Sequence, residues 1–388
     1  MVVGWTDPEG SRPWLGALLR RAWLRRFFGH GTCRRVAGFG QKHPAASADA
    51  ESDLTESAMS RMIKFAKAGG PEVLEFVEVQ VPAPGPNEVR IKVKAIGINR
   101  AEAMWRVDDY IEPVKKFPAG LGYEAAGSVD AVGKDVSGFA VGDDVNVIPS
   151  FSLNDYATYG EVILVPDHAV VRQPKALSFT EAASIWMMFV TAYGALIEDA
   201  KVTKGDFVLI PGASSSVGLA AIQIANYAGA TTIALTRTST KKQQLLDAGA
   251  VHVIATEEVD LVGEVMRITH GQGARVAFDP VGGPSFPKLV SALAFGGIIY
   301  IYGLLGTGVT PLPVLEMIAK VPTIKAHNIW LTSGNETRRK AAIEFVTKGL
   351  ETGALKPVID RTFTFDEMAD AHRYLEQSGQ FGKIVVTV

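Results

Sequence analysis

Phe207-Val-Leu-Ile-Pro-Gly-Ala-Ser-Ser-Ser-Val-Gly218 runs without a spacer into the apolar stretch Leu219-Ala-Ala-Ile-Gln-Ile-Ala225. An apolar strand, a tight turn of small residues and an apolar helix follow one another directly. That order brings backbone N–H groups and the positive end of a helix to one point, where a dinucleotide pyrophosphate can sit. Any strand-to-helix turn in an α/β protein also selects small residues, so the flanking chain has to decide the reading.

Downstream, strands alternate with helical patterns. Strands are expected at 207–213, 231–236, 252–255, 275–279, 297–302 and 323–328, and helices at 217–227, 241–248, 259–269, 286–294 and 314–319. Strands separated by crossover helices make an α/β fold with a doubly wound parallel six-stranded sheet. Upstream, Val73-Leu-Glu-Phe-Val-Glu-Val and Glu88-Val-Arg-Ile-Lys-Val-Lys-Ala alternate apolar and polar residues, the pattern of half-buried antiparallel strands. Glycines at 122, 127, 133, 138 and 142 suit bends in a small closed sheet. The last segment, from Phe363 to Val388, reads as a helix and a strand returning to that first sheet. The expected division is a β-rich substrate domain at 62–178 and 329–388 around a dinucleotide-binding domain at 179–328.

Residues 1–58 differ. Arg12, Arg20, Arg21, Arg25, Arg26, Arg34 and Arg35 are mixed with Trp, Gly and Pro, and an acidic stretch follows. Three readings stand: a dispensable, disordered extension or a start codon placed too early, with the working protein beginning at Met59 or Met62; a mitochondrial presequence, against which Asp7 and Glu9 count; or a genuine accessory arm. The whole chain of 388 residues is 47% hydrophobic and carries a formal net charge of −2, which gives no reason to expect a nucleic-acid partner. No apolar stretch approaches the roughly 20 residues of a membrane span, so no membrane is expected. Cys33 is the single cysteine, which excludes an intramolecular disulfide and suits a reducing, cytoplasmic setting.

The residue ending the second sheet strand selects the nucleotide: an acid suits the 2′-hydroxyl of NAD, a base the 2′-phosphate of NADP. Here it reads Leu235-Thr236-Arg237, followed by Ser239, Lys241 and Lys242, without a carboxylate. Arg237 offers a bidentate clamp and Lys241 a point charge. NADPH is the expected cofactor.

Several stretches together carry a resemblance: Ala95-Ile-Gly-Ile-Asn-Arg-Ala-Glu, Gly122-Tyr-Glu-Ala-Ala-Gly-Ser-Val, Gly142-Asp-Asp-Val, Thr191-Ala-Tyr, the 212–218 turn, Phe278-Asp-Pro-Val-Gly-Gly and Tyr302-Gly303. From Met62 to Val388 the chain resembles the zinc-independent medium-chain dehydrogenase/reductases, in particular NADPH:quinone oxidoreductases of the zeta-crystallin type. The resemblance implies a GroES-like substrate domain beside a Rossmann domain, and a homodimer. Zinc-dependent members place metal ligands where this chain has Asn99, Tyr123 and Met187, and they add a four-cysteine lobe that is absent here. No metal is expected, since catalytic zinc wants Cys, His or carboxylate. Glu124 reads as structural.

Without zinc, a conjugated acceptor is favoured, because its π system spreads the incoming charge. The reading is hydride transfer from NADPH to a quinone or α,β-unsaturated carbonyl. By resemblance, Tyr110 faces the nicotinamide and Asn99 orients substrate or nicotinamide, the two catalytic candidates. Thr191 lies near the nicotinamide ribose or amide; Ser214, Ser215, Ser216 and Val217 line the pyrophosphate; Gly282 and Gly303 approach the cofactor from strand ends. Trp186, Met188 and Trp330 are candidates for the pocket wall. Two alternatives remain open: a 2-enoyl thioester reductase, for which Arg106, Lys115 and Lys116 would line a basic channel, and a non-catalytic NADPH-binding structural or RNA-binding protein.

Overall fold

The computed structural model describes residues 57–388. The expectations for the Arg-rich segment and for Cys33 lie outside the described residues.

The first sheet system is built from β1 (Ala58–Phe65), β2 (Glu75–Val81), β3 (Glu88–Ile98), β4 (Ala119–Gly120), β5 (Glu124–Val132), β6 (Asp144–Val147), β7 (Val162–Pro166) and β8 (Val170–Arg172). The parallel sheet follows, with β9 (Phe207–Ile210), β10 (Thr231–Thr236), β11 (His252–Ala255), β12 (Ala274–Asp279), β13 (Leu293–Ile301) and β14 (Thr323–Ala326). The chain closes with β15 (Ile359–Thr364) and β16 (Lys383–Thr387).

β3 is the hub of the β-rich unit. It pairs antiparallel with β5, β7 and β16, and two register shifts, at Arg90/Ile91 and Val93/Ala95, bend it enough to serve all three. Through β16 the carboxyl end of the chain returns to this first sheet, as the sequence pattern implies. A smaller sheet, β2-β1-β4, flanks it.

The second sheet runs β11-β10-β9-β12-β13-β14, every pair parallel. Chain order reverses between β9 and β12, and ligands of such sheets bind outside the carboxyl ends at that reversal. Leu209, Ile233, Ala277 and Ile299 are fully buried and pack against helices Leu261–Ile268 and Phe286–Ala292. Burial of each of the larger side chains, Leu209, Ile233 and Ile299, contributes ~1.5–3 kcal/mol of hydrophobic stabilisation.

β10 and β11 coincide with the sequence reading. β9 is shorter, ending at Ile210, because Pro211 has no N–H for the ladder and Gly212 turns the chain at φ 59°. The expectation that no stretch approaches the length of a membrane span needs a correction. The helical run Phe179–Asp199, broken by a turn at 183–185, is long and apolar enough to cross a membrane by length and composition, but it is 83% buried. Its charged residues Glu181, Glu198 and Asp199 lie at the ends of the run, which leaves the middle apolar. It is a core helix, with Trp186, Phe189, Val190 and Leu196 fully enclosed.

Candidate active site

The turn after β9 is fixed by short-range contacts. Ser215 caps the helix Ser216–Tyr227, its hydroxyl accepting the Gly218 N–H at 3.1 Å. A Cβ on Gly218 would meet the carbonyl oxygens of Gly212 and Ala213 at 2.6 and 2.7 Å, so only glycine lets helix and strand approach this closely. Ser214, Ser215, Ser216 and Val217 are all half-buried at the helix start. Ser215, which takes a place often held by glycine, therefore has a capping role of its own.

Tyr302 lies just beyond β13, its ring stacked on Phe278 with centroids 3.9 Å apart. Its hydroxyl is buried near Ser215 and has no hydrogen-bond partner among the described residues. A solvent-shielded donor left open beside a helix N-terminus is what a phosphate oxygen requires. Sequence reasoning quoted the Tyr302-Gly303 strand end but gave the tyrosine no role. Gly303 lies against Pro280, whose carbonyl oxygen a Cβ would meet at 2.9 Å; Gly282 has φ 62° and donates its N–H to Asp279 at 3.1 Å. The ends of β9, β12 and β13 thus form a narrow, backbone-lined cradle that fits a dinucleotide.

At the end of β10 the structure adds two facts. Arg237 is exposed, whereas the Lys241 ammonium donates to the carbonyls of Gly379 and Gln380, both at 2.8 Å, and reaches the Ser214 hydroxyl at 3.4 Å. Burial lowers the Lys241 pKa. Lys241 clasps the cradle to the segment before β16 instead of standing free as a point charge. The strand end itself carries no carboxylate, as its sequence reads, but one reaches it from elsewhere. Glu258, from the loop after β11, accepts the N–H of Ser239 at 2.8 Å and its hydroxyl at 3.2 Å.

On the substrate side, Asn99 caps the helix Arg100–Arg106 and is enclosed in a polar cluster. Its amide nitrogen donates to Glu102 at 3.2 Å and to Glu124 at 3.0 Å, and its oxygen accepts from Lys383 at 2.5 Å. Lys383 also pairs with Glu124. Both ends of the amide are taken, which corrects the expectation that Asn99 orients substrate or nicotinamide. Burial pushes the Glu102 carboxyl up to about 7, with the Lys383 charge opposing. The Thr191 hydroxyl donates to the Met187 carbonyl at 2.5 Å, within its own helix, while its carbonyl accepts from His327 at 2.9 Å. Burial lowers His327 to about 4, so it is neutral there.

Tyr110 is half-buried and its ring lies 6.3 Å from that of Tyr123. Tyr123 also meets Phe151 at 6.0 Å and Trp330 at 5.5 Å. Trp330, edge-on to Tyr123, is buried in the same core cluster as Trp186, whose indole N–H donates to Asn146 at 2.8 Å, and Met188. Arg106 is corrected as well. It is buried with His372, Glu376 and the Gly69 carbonyl, closed to any carrier phosphate.

Zinc fits this chemistry poorly. Asn99, Tyr123 and Met187 supply no strong donor, the Lys383 cation already sits on Asn99 and Glu124, and among the described residues no three His, Cys, Asp or Glu side chains group as a metal site.

Residues 85–175 match the family described as Alcohol dehydrogenase GroES-like domain, and residues 216–348 the family described as Zinc-binding dehydrogenase. The quinone oxidoreductase of Homo sapiens is 32% identical over 335 residues, covering 86% of this chain and 99% of that protein. A solved NAD-dependent alcohol dehydrogenase is 32% identical, with a TM-score of 0.77, covering 84% of this chain and 99% of its own. The Escherichia coli quinone oxidoreductase complexed with NADPH is 28% identical with a TM-score of 0.76, covering 84% of this chain and all (100%) of its own. With the doubly wound sheet, the GroES-like unit and these relatives in agreement, the chain belongs to the quinone oxidoreductase family of the medium-chain dehydrogenase/reductases.

Proposed function

We propose that the protein transfers a hydride from NADPH to a quinone or another α,β-unsaturated carbonyl, without zinc. The observation that carries this reading is the substrate-side cluster itself, where a lysine ammonium and two aromatic rings stand in place of a metal-donor set. A plain ketone needs a Lewis acid to polarise it. A conjugated acceptor runs on positioning and one or two hydrogen-bond donors.

When bound, the dihydronicotinamide supplies the hydride. The turn after β9 and the helix Ser216–Tyr227 hold the pyrophosphate, with the Tyr302 hydroxyl as a further donor. Arg237 meets the 2′-phosphate and Lys241 joins it when its hold on Gly379 and Gln380 is released. Gly282 and Gly303 let the cofactor lie close to the strand ends. Tyr110 and Trp330 present aromatic faces to a planar acceptor. Glu258 beside Ser239 narrows the margin between NADPH and NADH.

The thioester reading loses support from the burial of Arg106, leaving only the exposed Lys115 and Lys116. The formal charge of −2 counts against an RNA-binding role. A homodimer is proposed through the apolar face of the helix Val314–Lys320, where Leu315 and Ile318 are exposed beside the edge strand β14. Cytoplasmic residence is proposed from the single cysteine, with a mitochondrial location as the alternative. The test offers NADPH and NADH to the protein with 1,4-naphthoquinone, a simple enone, an enoyl thioester and a plain ketone. Faster NADPH loss with quinone or enone supports the reading. Turnover confined to the thioester or the ketone contradicts it.

A further inference from the structure

The Tyr123 hydroxyl has no assigned task in the account above, although its surroundings are unusual. The side chain is fully buried at the start of β5, yet its hydroxyl has no hydrogen-bond partner among the described residues. A buried, unsatisfied hydroxyl is costly and calls for an explanation. The position is built with care. Gly122, at φ 108°, leaves no room for a Cβ against Thr158 and Tyr159, and the Tyr123 N–H is held by Glu102 at 3.2 Å. The ring is gripped from three sides by Tyr110, Phe151 and Trp330.

Two of those neighbours locate the hydroxyl in the crevice. Trp330 opens the helix Trp330–Ser333 that follows β14, at the carboxyl edge of the parallel sheet where ligands of this architecture bind. Tyr110 stands on the irregular segment 107–118, most of whose residues are exposed. The Tyr110 and Tyr123 hydroxyls are close enough to influence each other's acidity.

We propose that Tyr123 is a catalytic residue, the proton donor to the acceptor's oxygen, with Tyr110 replenishing its proton. This rests on the reductase reading. The acceptor carbon gains the hydride with its electron pair, the conjugated π pair moves onto the acceptor's oxygen, and Tyr123 O–H gives that oxygen its proton. A quinone leaves as the keto tautomer of the hydroquinone, which becomes aromatic in water by giving up a ring-carbon proton while its second oxygen takes one, and an enone leaves as the enol, which takes its carbon-bound form in water. The Tyr123 oxygen, left negative, takes a proton from Tyr110, which takes one from solvent. Burial raises both tyrosines well above their ordinary pKa, so both stand protonated at neutral pH. Asn99 is bound at both ends of its amide and is no competitor for the role.

The test uses Tyr123→Phe, which removes the hydroxyl and keeps the packed ring, with Tyr110→Phe as its partner. For 1,4-naphthoquinone, kcat is expected to fall about 100-fold in Tyr123→Phe with KM for NADPH unchanged, and the solvent deuterium effect on kcat should change. Binding of 2-naphthol to the NADP⁺-loaded protein should weaken about tenfold. Unchanged kcat together with unchanged naphthol affinity would overturn the proposal. Should the wild type turn over no acceptor while Tyr123→Phe still loses naphthol affinity, the donor assignment stands and the reductase reading falls.

Discussion

At the residue scale, the nucleotide preference proposed for the β10 end rests on charges from three different segments. Arg237 comes from the strand end, Lys241 from the next helix start and Glu258 from the loop after β11. Arg237→Glu should raise KM for NADPH about tenfold or more and leave NADH nearly unaffected, because only the 2′-phosphate distinguishes them; equal effects on both nucleotides would remove Arg237 from the site. Conversely, Glu258→Gln should widen the NADPH preference severalfold in competition kinetics. The sequence showed Arg237 and Lys241 directly, since strand periodicity locates the strand end. It hid Glu258, whose approach to Ser239 depends on the parallel pairing of β10 with β11. It likewise hid the fate of Asn99, because Lys383 meets it from the far end of the chain. Glu102 offers a pH test. Its folded-state pKa is raised from 4.5 to about 7, so the folded form binds a proton more tightly than the unfolded chain and stability falls as pH rises through that window. Glu102→Gln should flatten that fall, a difference on the order of 2 kcal/mol between pH 5 and 7.5 in urea titrations. Parallel stability–pH curves for both proteins would refute the assignment.

At the element scale, the turn after β9 and the loop before β5 each depend on one glycine. Gly218 sits where helix and strand backbones nearly touch, and Gly122 holds a left-handed conformation beneath Thr158 and Tyr159. Gly122→Ala should destabilise the protein by ~2–4 kcal/mol in thermal or urea unfolding, since both strain and a clash oppose the methyl group. A loss below half a kcal/mol would contradict that geometry. Period-two and helical patterns made β10, β11 and the helix after β9 legible before any coordinates. Element ends were less so. β9 stops early at a proline, and the helical run Phe179–Asp199, apolar along its middle with acids at its ends, was not marked as an element.

At the scale of the whole molecule, the parallel sheet and the β-rich unit bring the nucleotide cradle and the aromatic wall to one crevice. The fold was readable because alternating strand and crossover-helix patterns admit few topologies. Tyr302 and Tyr123 were not readable as site residues, because an unsatisfied buried hydroxyl exists only once neighbours are placed. Assembly is testable at the same scale. Leu315→Glu combined with Ile318→Glu should convert a dimer to monomers in sedimentation analysis, and a monomeric wild type would refute the proposed interface. The central claim is that this crevice reduces a conjugated acceptor with NADPH and no metal. Its most direct test is the steady-state rate of NADPH oxidation with 1,4-naphthoquinone, measured on chelator-treated protein before and after zinc is restored. The account predicts full turnover after chelation and no gain from zinc; activity lost with the chelator and recovered with zinc would contradict it.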